Sequence, residues 1–335
     1  MNCCEYCFND DFLRSQIVVD SNSTLVDRCS SCGAQNVSQI DSKHIKYHIA
    51  QLLDLYIEDS KGEGKTLQDH FKDDWYLLKN VSEEKCNNLL SYMFPKDNLI
   101  EKKYITNSDN ATKINLWENF KDELRHGNRF FPENMPDLDH LGSLFSFLNY
   151  RDEVKTLYRA RICKDKGFSS NEMGKPPALF ATHGRANPAG ISYLYTASNE
   201  ETAISEVRPQ VGDNVCVAKF NVDVSLQLLD LRAPRERISP FEINEDDLAR
   251  LHSDLAYLEK LGEELSKPVR SERAHLEYLA SQYLCEYVKK MSYDGVVYRS
   301  SVGSGDNFAL FNDDLLKPEP FVGIYTVNSL DYKFS

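Results

Sequence analysis

Four cysteines in two closely spaced pairs constrain the N-terminal part of this chain more than any other feature. Cys4 and Cys7 form one Cys-x2-Cys pair, and Cys29 and Cys32 form a second. Each pair presents two sulfurs on one tight turn, and two such turns complete the tetrahedron of thiolates that zinc prefers. We therefore predict a structural zinc ion on these four residues, with no open position for catalysis. Cys3 lies beside Cys4, and the spacing leaves open which of the two is the ligand.

The overall composition limits the cellular compartments and the classes of partner that we expect for this chain. Lys and Arg number 39 against 52 Asp and Glu, so the net charge of -13 repels polyanions and makes nucleic acid an unlikely partner. No apolar run of about 18 residues is present, so we expect no contact with a membrane interior. The first residues lack the pattern of a secretion signal, and an odd number of cysteines, 9, is typical of a reducing compartment. We therefore predict a cytoplasmic protein.

Three stretches of the chain differ in pattern. Residues 1–40 carry the cysteine pairs and are predicted to form a zinc-binding knuckle. Residues 41–150 have apolar side chains at helical spacing, as in Ile45, Ile49 and Leu52, which predicts a helical region. Residues 151–335 mix strands with helices. The expected fold class is therefore α+β, with a zinc knuckle and helices followed by a mixed α/β domain.

The mixed domain is predicted in some detail. Alternating or continuous apolar runs predict strands, and 3.6-residue periodicity predicts helices. The predicted strands are Leu157–Ile162, Ser192–Thr196, Val215–Val222, Val224–Leu231, Gly295–Tyr298, Phe308–Phe311 and Val322–Val327. The predicted helices are Asn199–Arg208, Asp246–Leu265 and Glu272–Lys290.

One motif in the helical region resembles a phosphate-binding loop without fulfilling its pattern. Gly64 and Lys65 match the end of G-x4-G-K, but the leading glycine would fall at Asp59. The segment also follows a helical pattern rather than a strand. We interpret it as a solvated turn.

A rigid loop over residues 183–190 carries the sharpest signal for function. Two glycines and a proline surround Arg185 and Asn187, which predicts a tightly turned segment. Such a loop can fix a guanidinium for bidentate contact with a phosphate. The predicted strand that ends near Tyr195 follows this loop.

The helix after that strand carries a candidate catalytic carboxylate. Ser198 and Glu201 have the spacing of a capping box at its start. Glu206 falls on or beside the face predicted to pack inward, where an unpaired carboxylate is costly. Two interpretations stay open: an internal salt bridge to Arg159 or Arg208, or a carboxylate that faces a ligand hydroxyl.

These segments together resemble the RES family over Leu157–Phe311. The resemblance rests on Tyr158-Arg159, the Gly-Arg-x-Asn-Pro-x-Gly loop, Tyr195 with Thr202-Ala203-x-x-Glu206, and Asp294-Gly-Val-Val-Tyr-x-Ser300, in the expected order. The family is named for an arginine, a glutamate and a serine, which the resemblance places at Arg159, Glu206 and Ser300. The N-terminal part is similar to the region known as a HEPN/RES N-terminal domain.

The resemblance implies a core shared with ADP-ribosyltransferases and the consumption of NAD⁺. The implied reaction is phosphorolysis to nicotinamide and ADP-ribose 1″-phosphate, or hydrolysis, in a toxin or antiphage defence effector with an antitoxin or regulatory partner. Glu206, Arg159 and Ser300 would be catalytic, and inorganic phosphate a co-substrate. Contacts with substrate would come from Arg185, Tyr195, Asn187 and Asn307. Many members carry a proline directly before the serine and an arginine two residues after it. In this chain those two positions are Arg299 and Val302.

Two other functions fit the same residues. An ADP-ribosyltransferase would use NAD⁺ to modify a protein or another acceptor. A non-catalytic interaction module would sense a nucleotide in the same pocket. We also expect the chain to form a homo-oligomer.

Overall fold

The computed structural model describes residues 1–22, 25–95, 98–106, 110–164, 166–312 and 316–330. In those ranges no helix combines the length and the apolar content needed to cross a lipid bilayer. The chain forms two compact units. The first unit is Met1–Lys113 with Arg235–Tyr257, and the second is Ile114–Pro234 with Leu258–Ser335.

The structure mixes helices and strands, as predicted. The strands are β1 (Asn2–Cys4), β2 (Leu25–Arg28), β3 (Gln35–Asp41), β4 (Tyr56–Glu58), β5 (Tyr104–Thr106), β6 (Thr156–Cys163), β7 (Leu194–Ala197), β8 (Asn214–Asn221), β9 (Leu228–Asp230), β10 (Gly295–Arg299), β11 (Asp306–Leu310) and β12 (Lys317–Thr326). The α-helices are α1 (Asp11–Asp20), α2 (Lys46–Leu53), α3 (Leu67–Trp75), α4 (Glu83–Met93), α5 (Asn110–His126), α6 (Leu138–Phe145), α7 (Glu200–Glu206), α8 (Pro234–Arg237), α9 (Glu245–His252), α10 (Leu255–Ser266), α11 (Ala274–Glu277) and α12 (Leu279–Lys290).

The first unit begins with a small antiparallel sheet. Its strand order is β1-β3-β2, and β4 pairs with β5 in a separate two-stranded sheet. Helix α1 lies in the stretch predicted as a knuckle. Asp10 caps this helix by accepting a 2.8 Å hydrogen bond from the Leu13 amide, and Leu13 and Ile17 are buried.

A seven-stranded sheet forms the centre of the second unit. Its order is β12-β8-β6-β7-β11-β10-β9, with antiparallel neighbours except for the parallel pair β9 and β10. Side chains of a strand alternate between the two faces of a sheet, and in this sheet both faces carry apolar residues. One core holds large residues such as Leu157, Phe220 and Phe308. The other face carries small residues, among them Ala160, Ala197 and Ala203. These small residues leave room above the sheet.

Two predicted helices are broken in the structure. The helix predicted over Asp246–Leu265 is α9 and α10, which are separated at Ser253 and Asp254. The Asp254 carboxylate is fully buried and pairs with the Lys113 ammonium, so the chain turns there to bury an ion pair. The helix predicted over Glu272–Lys290 is a short turn followed by α11 and α12.

The predicted capping box of α7 is also wrong. Asn199 caps the helix by accepting a 2.8 Å hydrogen bond from the Thr202 amide. The Ser198 hydroxyl instead accepts a hydrogen bond from the Asp306 amide at the start of β11. The serine therefore ties the end of β7 to its neighbouring strand, and the cap falls one residue later.

Candidate active site

A cavity of about 490 Å³ opens over the face of the sheet that carries the small residues. This volume lies within the range of about 300–1,000 Å³ that is typical of ligand pockets. Strands β6, β7, β10 and β11 and helix α7 line it. The lining residues are Tyr158, Arg159, Ala160, Arg161, Ile162, Tyr195, Thr196, Ala197, Ala203, Glu206, Val207, Tyr298 and Asn307.

Glu206 is held at the edge of this cavity through one of its two oxygens. Its Oε1 accepts hydrogen bonds from the Ser300 hydroxyl at 2.6 Å and from Asn307 Nδ2 at 2.7 Å. Among the residues that the structure describes, no donor contacts Oε2. Both partners are neutral groups, in place of the salt bridge to Arg159 or Arg208. The carboxylate is fixed in orientation with one oxygen left for a ligand.

Glu206 is exposed, whereas the sequence placed it on or beside a face that packs inward. It is the last residue of α7, and the helix ends at the mouth of the cavity. The buried residues of the helix are Thr202 and Ala203, one turn earlier. The side chain therefore reaches solvent through the cavity and is not packed in the core.

Ser300 organises the loop that follows β10. Its hydroxyl oxygen accepts hydrogen bonds from the amides of Val302 at 3.1 Å and Gly303 at 2.9 Å. The same hydroxyl donates a hydrogen bond to Glu206 Oε1. Because a hydroxyl has one donor and two acceptor sites, these three contacts use its full capacity. In this arrangement Ser300 positions the carboxylate.

Two arginines of β6 line the cavity. Arg159 Nη1 donates a 3.1 Å hydrogen bond to the Tyr195 carbonyl. Arg161 Nη1 donates one to the Glu172 carbonyl at 2.5 Å, and its guanidinium lies 4.0 Å from the centre of the Phe168 ring. Arg161 was not among the predicted site residues. Its position two residues after Arg159 on a predicted strand was a usable signal, since such residues share a face.

The loop of residues 183–190 is fixed by buried amide contacts. Asn187 is buried, and the two hydrogens of its Nδ2 are shared among three carbonyls, those of Thr182, Pro188 and Ile191, at 2.8–3.0 Å. Its Oδ1 accepts a 2.8 Å hydrogen bond from the Tyr195 hydroxyl. A Cβ on Gly184 would lie 2.3 Å from that same Oδ1, so only glycine fits there. The side chain of Asn187 thus holds the loop together.

Arg185 also contacts protein groups. Its Nη1 donates a 2.6 Å hydrogen bond to the Lys267 carbonyl, and its guanidinium lies 5.3 Å from the centre of the Tyr278 ring. The residues that line the described cavity include Arg159, Tyr195, Glu206 and Asn307, but not Arg185, Asn187 or Ser300. Roles for Arg185 and Asn187 in binding substrate stay predictions.

Two tyrosines link the arginine loop to the cavity. Burial raises the pKa of the Tyr195 hydroxyl, which also accepts the Ala186 amide at 3.0 Å. Burial raises the pKa of Tyr298 as well, and the charge of Arg185 opposes that shift while the charge of Glu206 adds to it. Both hydroxyls therefore stay protonated at neutral pH, and the Tyr195 ring forms part of the cavity wall.

The four paired cysteines converge in the first unit. The Sγ atoms of Cys4 and Cys7 lie 3.8 Å apart, those of Cys4 and Cys32 3.4 Å, and those of Cys7 and Cys29 3.6 Å. A zinc tetrahedron with Zn–S bonds of about 2.3 Å has edges of about 3.8 Å, so the donors and their spacing fit a metal ion. Cys3 is buried outside this group, which contains Cys4.

Comparison with known proteins identifies the family. The chain matches the RES domain over residues 156–333, more than half of its length, and it belongs to the RES family. A search among curated proteins gives no match. Among solved structures, the chain is similar to one described as the M. tuberculosis MbcT-MbcA toxin-antitoxin complex, with 15% identity over 56% of this chain and 93% of that chain and a TM-score of 0.34. At this TM-score the likeness adds nothing to the family match.

Proposed function

We propose that this protein cleaves the bond between nicotinamide and ribose in NAD⁺. The observation that supports the proposal most strongly is the Glu206 carboxylate, which is held by Ser300 and Asn307 through Oε1 and leaves Oε2 at the cavity. Membership of the RES family supports the choice of NAD⁺ as the substrate. We also propose that the RES domain of this chain has a core similar to that of ADP-ribosyltransferases.

The proposed chemistry needs a negative charge close to the ribose. When the C1″–N1 bond breaks, its electron pair goes to the nicotinamide nitrogen and positive charge develops on the ribose ring. A fixed carboxylate stabilises that charge directly or through a ribose hydroxyl. Nicotinamide leaves as a neutral molecule, so the step needs no general acid. Glu206 is the carboxylate that we assign to this role.

The rest of the cavity fits the other parts of NAD⁺. Arg159 and Arg161 of β6 line the cavity and are suited to the pyrophosphate through charge-assisted hydrogen bonds. The rings of Tyr158, Tyr195 and Tyr298 supply aromatic surface for stacking. Ser300 acts in this proposal by orienting Glu206.

The acceptor of the ribosyl group decides the product. Phosphate oxygen attack at C1″ gives ADP-ribose 1″-phosphate, whereas attack by water gives ADP-ribose and releases a proton. We favour phosphate because the family resemblance implies it. We further propose that loss of NAD⁺ makes the protein a toxin or a defence effector, held in check by an antitoxin or regulatory protein, and that the chain forms a homo-oligomer.

We also propose that the cysteine cluster holds a structural zinc ion. Cys4, Cys7, Cys29 and Cys32 supply four sulfurs at the spacing described above. Four thiolates fill the tetrahedron and leave no position for substrate. The ion would therefore stabilise the first unit and take no part in NAD⁺ cleavage.

Product analysis tests the proposed function. Purified protein is mixed with NAD⁺ with and without inorganic phosphate, and the products are identified by mass. We expect nicotinamide with ADP-ribose 1″-phosphate when phosphate is present. Glu206→Gln should lower the turnover rate by a factor of about 10²–10³, since it removes a charge aimed at the transition state.

Glu201→Gln is the matched control, because Glu201 is an exposed residue of the same helix that does not line the cavity. It should keep the turnover rate of the unmodified protein. Transfer of labelled ADP-ribose to a protein would indicate an ADP-ribosyltransferase instead. Binding of NAD⁺ without any product under either condition would contradict the proposal and favour a nucleotide sensor.

A further inference from the structure

A second cavity, of about 370 Å³, lies in the first unit. It is formed by the turn before α3, by α3 itself, by β5 and by residues of α8 and α9. Its walls carry four basic side chains, Lys65, His70, Arg235 and His252, and one carboxylate, Asp74. None of these residues has a role in the proposed cleavage of NAD⁺.

Asp74 is the common partner of three of the basic groups. Its Oδ2 lies 3.0 Å from His252 Nε2 and 3.4 Å from His70 Nδ1, and its Oδ1 lies 3.6 Å from Arg235 Nη1. Burial raises the pKa of Asp74, but the two histidines outweigh burial and hold it below its usual range. The carboxylate is therefore ionised, and it fixes the orientation of the groups around it.

His70 is oriented so that both ring nitrogens face acceptors. Its Nε2 lies 2.9 Å from the Tyr104 carbonyl, while its Nδ1 faces the Asp74 carboxylate. A carbonyl and a carboxylate can only accept, so both contacts are satisfied when both nitrogens carry protons. In that state His70 is a cation. Lys65, His70 and Arg235 then carry positive charge at the cavity, where Asp74 is the lining carboxylate and the Asp73 carboxylate lies 2.7 Å from the Lys65 ammonium.

The turn that carries Lys65 is rigid. The Asp59 carboxylate accepts hydrogen bonds from the amides of Lys61, Glu63 and Gly64 at 2.8–2.9 Å. Lys65 exchanges backbone hydrogen bonds with Tyr104 at 2.8 and 3.0 Å. A Cβ on Gly64 would lie 2.3 Å from the Tyr104 carbonyl oxygen, so the close approach requires glycine. The turn places Lys65 at the cavity even though its sequence does not form a phosphate-binding loop.

Aromatic rings back the two histidines. The Trp75 ring stacks on His252 with centroids 5.6 Å apart, and the Tyr56 ring lies 4.6 Å from that of His70. Both histidines are buried, with 6–7% of their surface exposed. A metal ion does not fit, because among the described residues only the four cysteines bring three or more metal-binding atoms within 4.8 Å of one another. The basic side chains that line the cavity favour an anion.

We propose that this cavity, here called the basic cavity, binds the phosphate group of a small molecule. Lys65 and Arg235 contact the phosphate oxygens, and His70 adds a third positive charge. Its volume is sufficient for inorganic phosphate or a mononucleotide, since ligand pockets of about 300 Å³ and more are common. Asp74 holds the cations in place when the ligand is absent.

Trp75 offers a reporter beside the basic cavity, because its ring stacks on His252 of the cavity wall. Trp75 and Trp117 are the 2 tryptophans of the chain, so Trp117→Phe leaves one emission signal, next to His252. The full chain carrying Trp117→Phe is titrated with inorganic phosphate and, separately, with AMP, against sodium chloride at equal ionic strength. The imidazole NMR signals of His70 and His252 in the chain with both tryptophans give a second measurement that needs no substitution.

We expect a saturable change with phosphate or AMP and none with sodium chloride. Lys65→Gln and Arg235→Gln should each weaken binding by about tenfold or more, because each removes a charge-assisted contact. Lys61→Gln is the control, since Lys61 is exposed on the same turn and does not line the cavity. Saturation by AMP alone would identify a nucleotide ligand, and saturation by both would identify a phosphate site.

The proposal is overturned if neither probe gives saturation in the millimolar range. It is also overturned if Lys65→Gln and Arg235→Gln, shown by thermal melting to be folded, bind as well as Lys61→Gln. Arg235→Lys separates the two possible roles of this residue, because lysine keeps the charge without the planar fork. Retained binding with Arg235→Lys then supports recognition by charge.

Discussion

The two units of this protein hold their cavity carboxylates in opposite ways. In the second unit, Glu206 is exposed and accepts hydrogen bonds from the neutral groups of Ser300 and Asn307. In the first unit, Asp74 is surrounded by two imidazoles and a guanidinium. Neutral donors fix a carboxylate without cancelling its charge, whereas cationic partners fix it and cancel the charge as well.

This difference separates a carboxylate suited to catalysis from one suited to structure. The charge of Glu206 remains available to stabilise positive charge in a ligand. The charge of Asp74 is already used by the protein, so a ligand of the basic cavity must meet the surrounding cations. The units also differ in what stabilises them. The second packs apolar cores on both faces of a sheet, and the first also buries apolar side chains but adds the cluster of four thiols.

The largest effect should come from the cysteine cluster, which tests the contrast between the two units. Cys29→Ser removes one of four ligands, and we expect the loss of bound zinc and of most of the stability of the first unit, because structural zinc contributes about 10 kcal/mol or more to small metal domains. Zinc content and thermal melting provide the measurements. Cys86→Ser is the control, since Cys86 is buried in the same unit outside the cluster. Equal zinc content in both variants would contradict the assignment.

The next effect compares the two carboxylates directly. Asp74→Asn leaves His70, His252 and Arg235 without their counter-charge, so we expect a loss of about 3–5 kcal/mol in the free energy of unfolding. Glu206→Gln removes an exposed charge held by neutral donors, and its cost should stay below about 1 kcal/mol. Denaturant titration measures both. Similar losses for the two substitutions would contradict the proposed difference between the two carboxylates.

Acid provides an internal control for that experiment. The pKa of Asp74 is lowered in the folded protein, by its histidine partners against the opposing effect of burial. A lowered pKa contributes stability that is present above the unfolded pKa of about 3.9 and is lost as the pH falls through the folded value. The difference in the free energy of unfolding between the unmodified protein and Asp74→Asn should therefore be largest at neutral pH and decrease in acid.

The sequence predicted the strands of the second unit because their apolar pattern is local. All seven strands of the large sheet overlap predicted ones. The cysteine cluster could be predicted for the same reason, since two short pairs define it. In both cases the signal lies within a few residues of chain.

Contacts between distant residues could not be predicted in this way. Asp74 meets His252, which is 178 residues away, and neither residue lies in a recognisable motif. The loop of Arg185 was predicted to be rigid, but no spacing indicates that its guanidinium contacts the Lys267 carbonyl. Glu206 was predicted from the pattern of its helix, but its neutral partners lie about 100 residues later, in the loop after β10 and in β11.

The smallest effect tests whether Ser300 acts through Glu206. Ser300→Ala removes one of the two hydrogen bonds to Oε1 and two contacts that shape the loop after β10. Loss of one hydrogen bond to a charged group costs about 1.5–3 kcal/mol, so the turnover rate on NAD⁺ should fall by a factor of about 10–150. Because Ser300 has no hydrogen-bonding capacity left for substrate, KM should change little.

Ser300→Thr keeps the hydroxyl and should restore the rate, and substitution of the exposed neighbour, Ser301→Ala, should leave the rate unchanged. A large rise in KM with an unchanged turnover rate would show instead that Ser300 binds the substrate, and Glu206 would then be oriented by Asn307 alone.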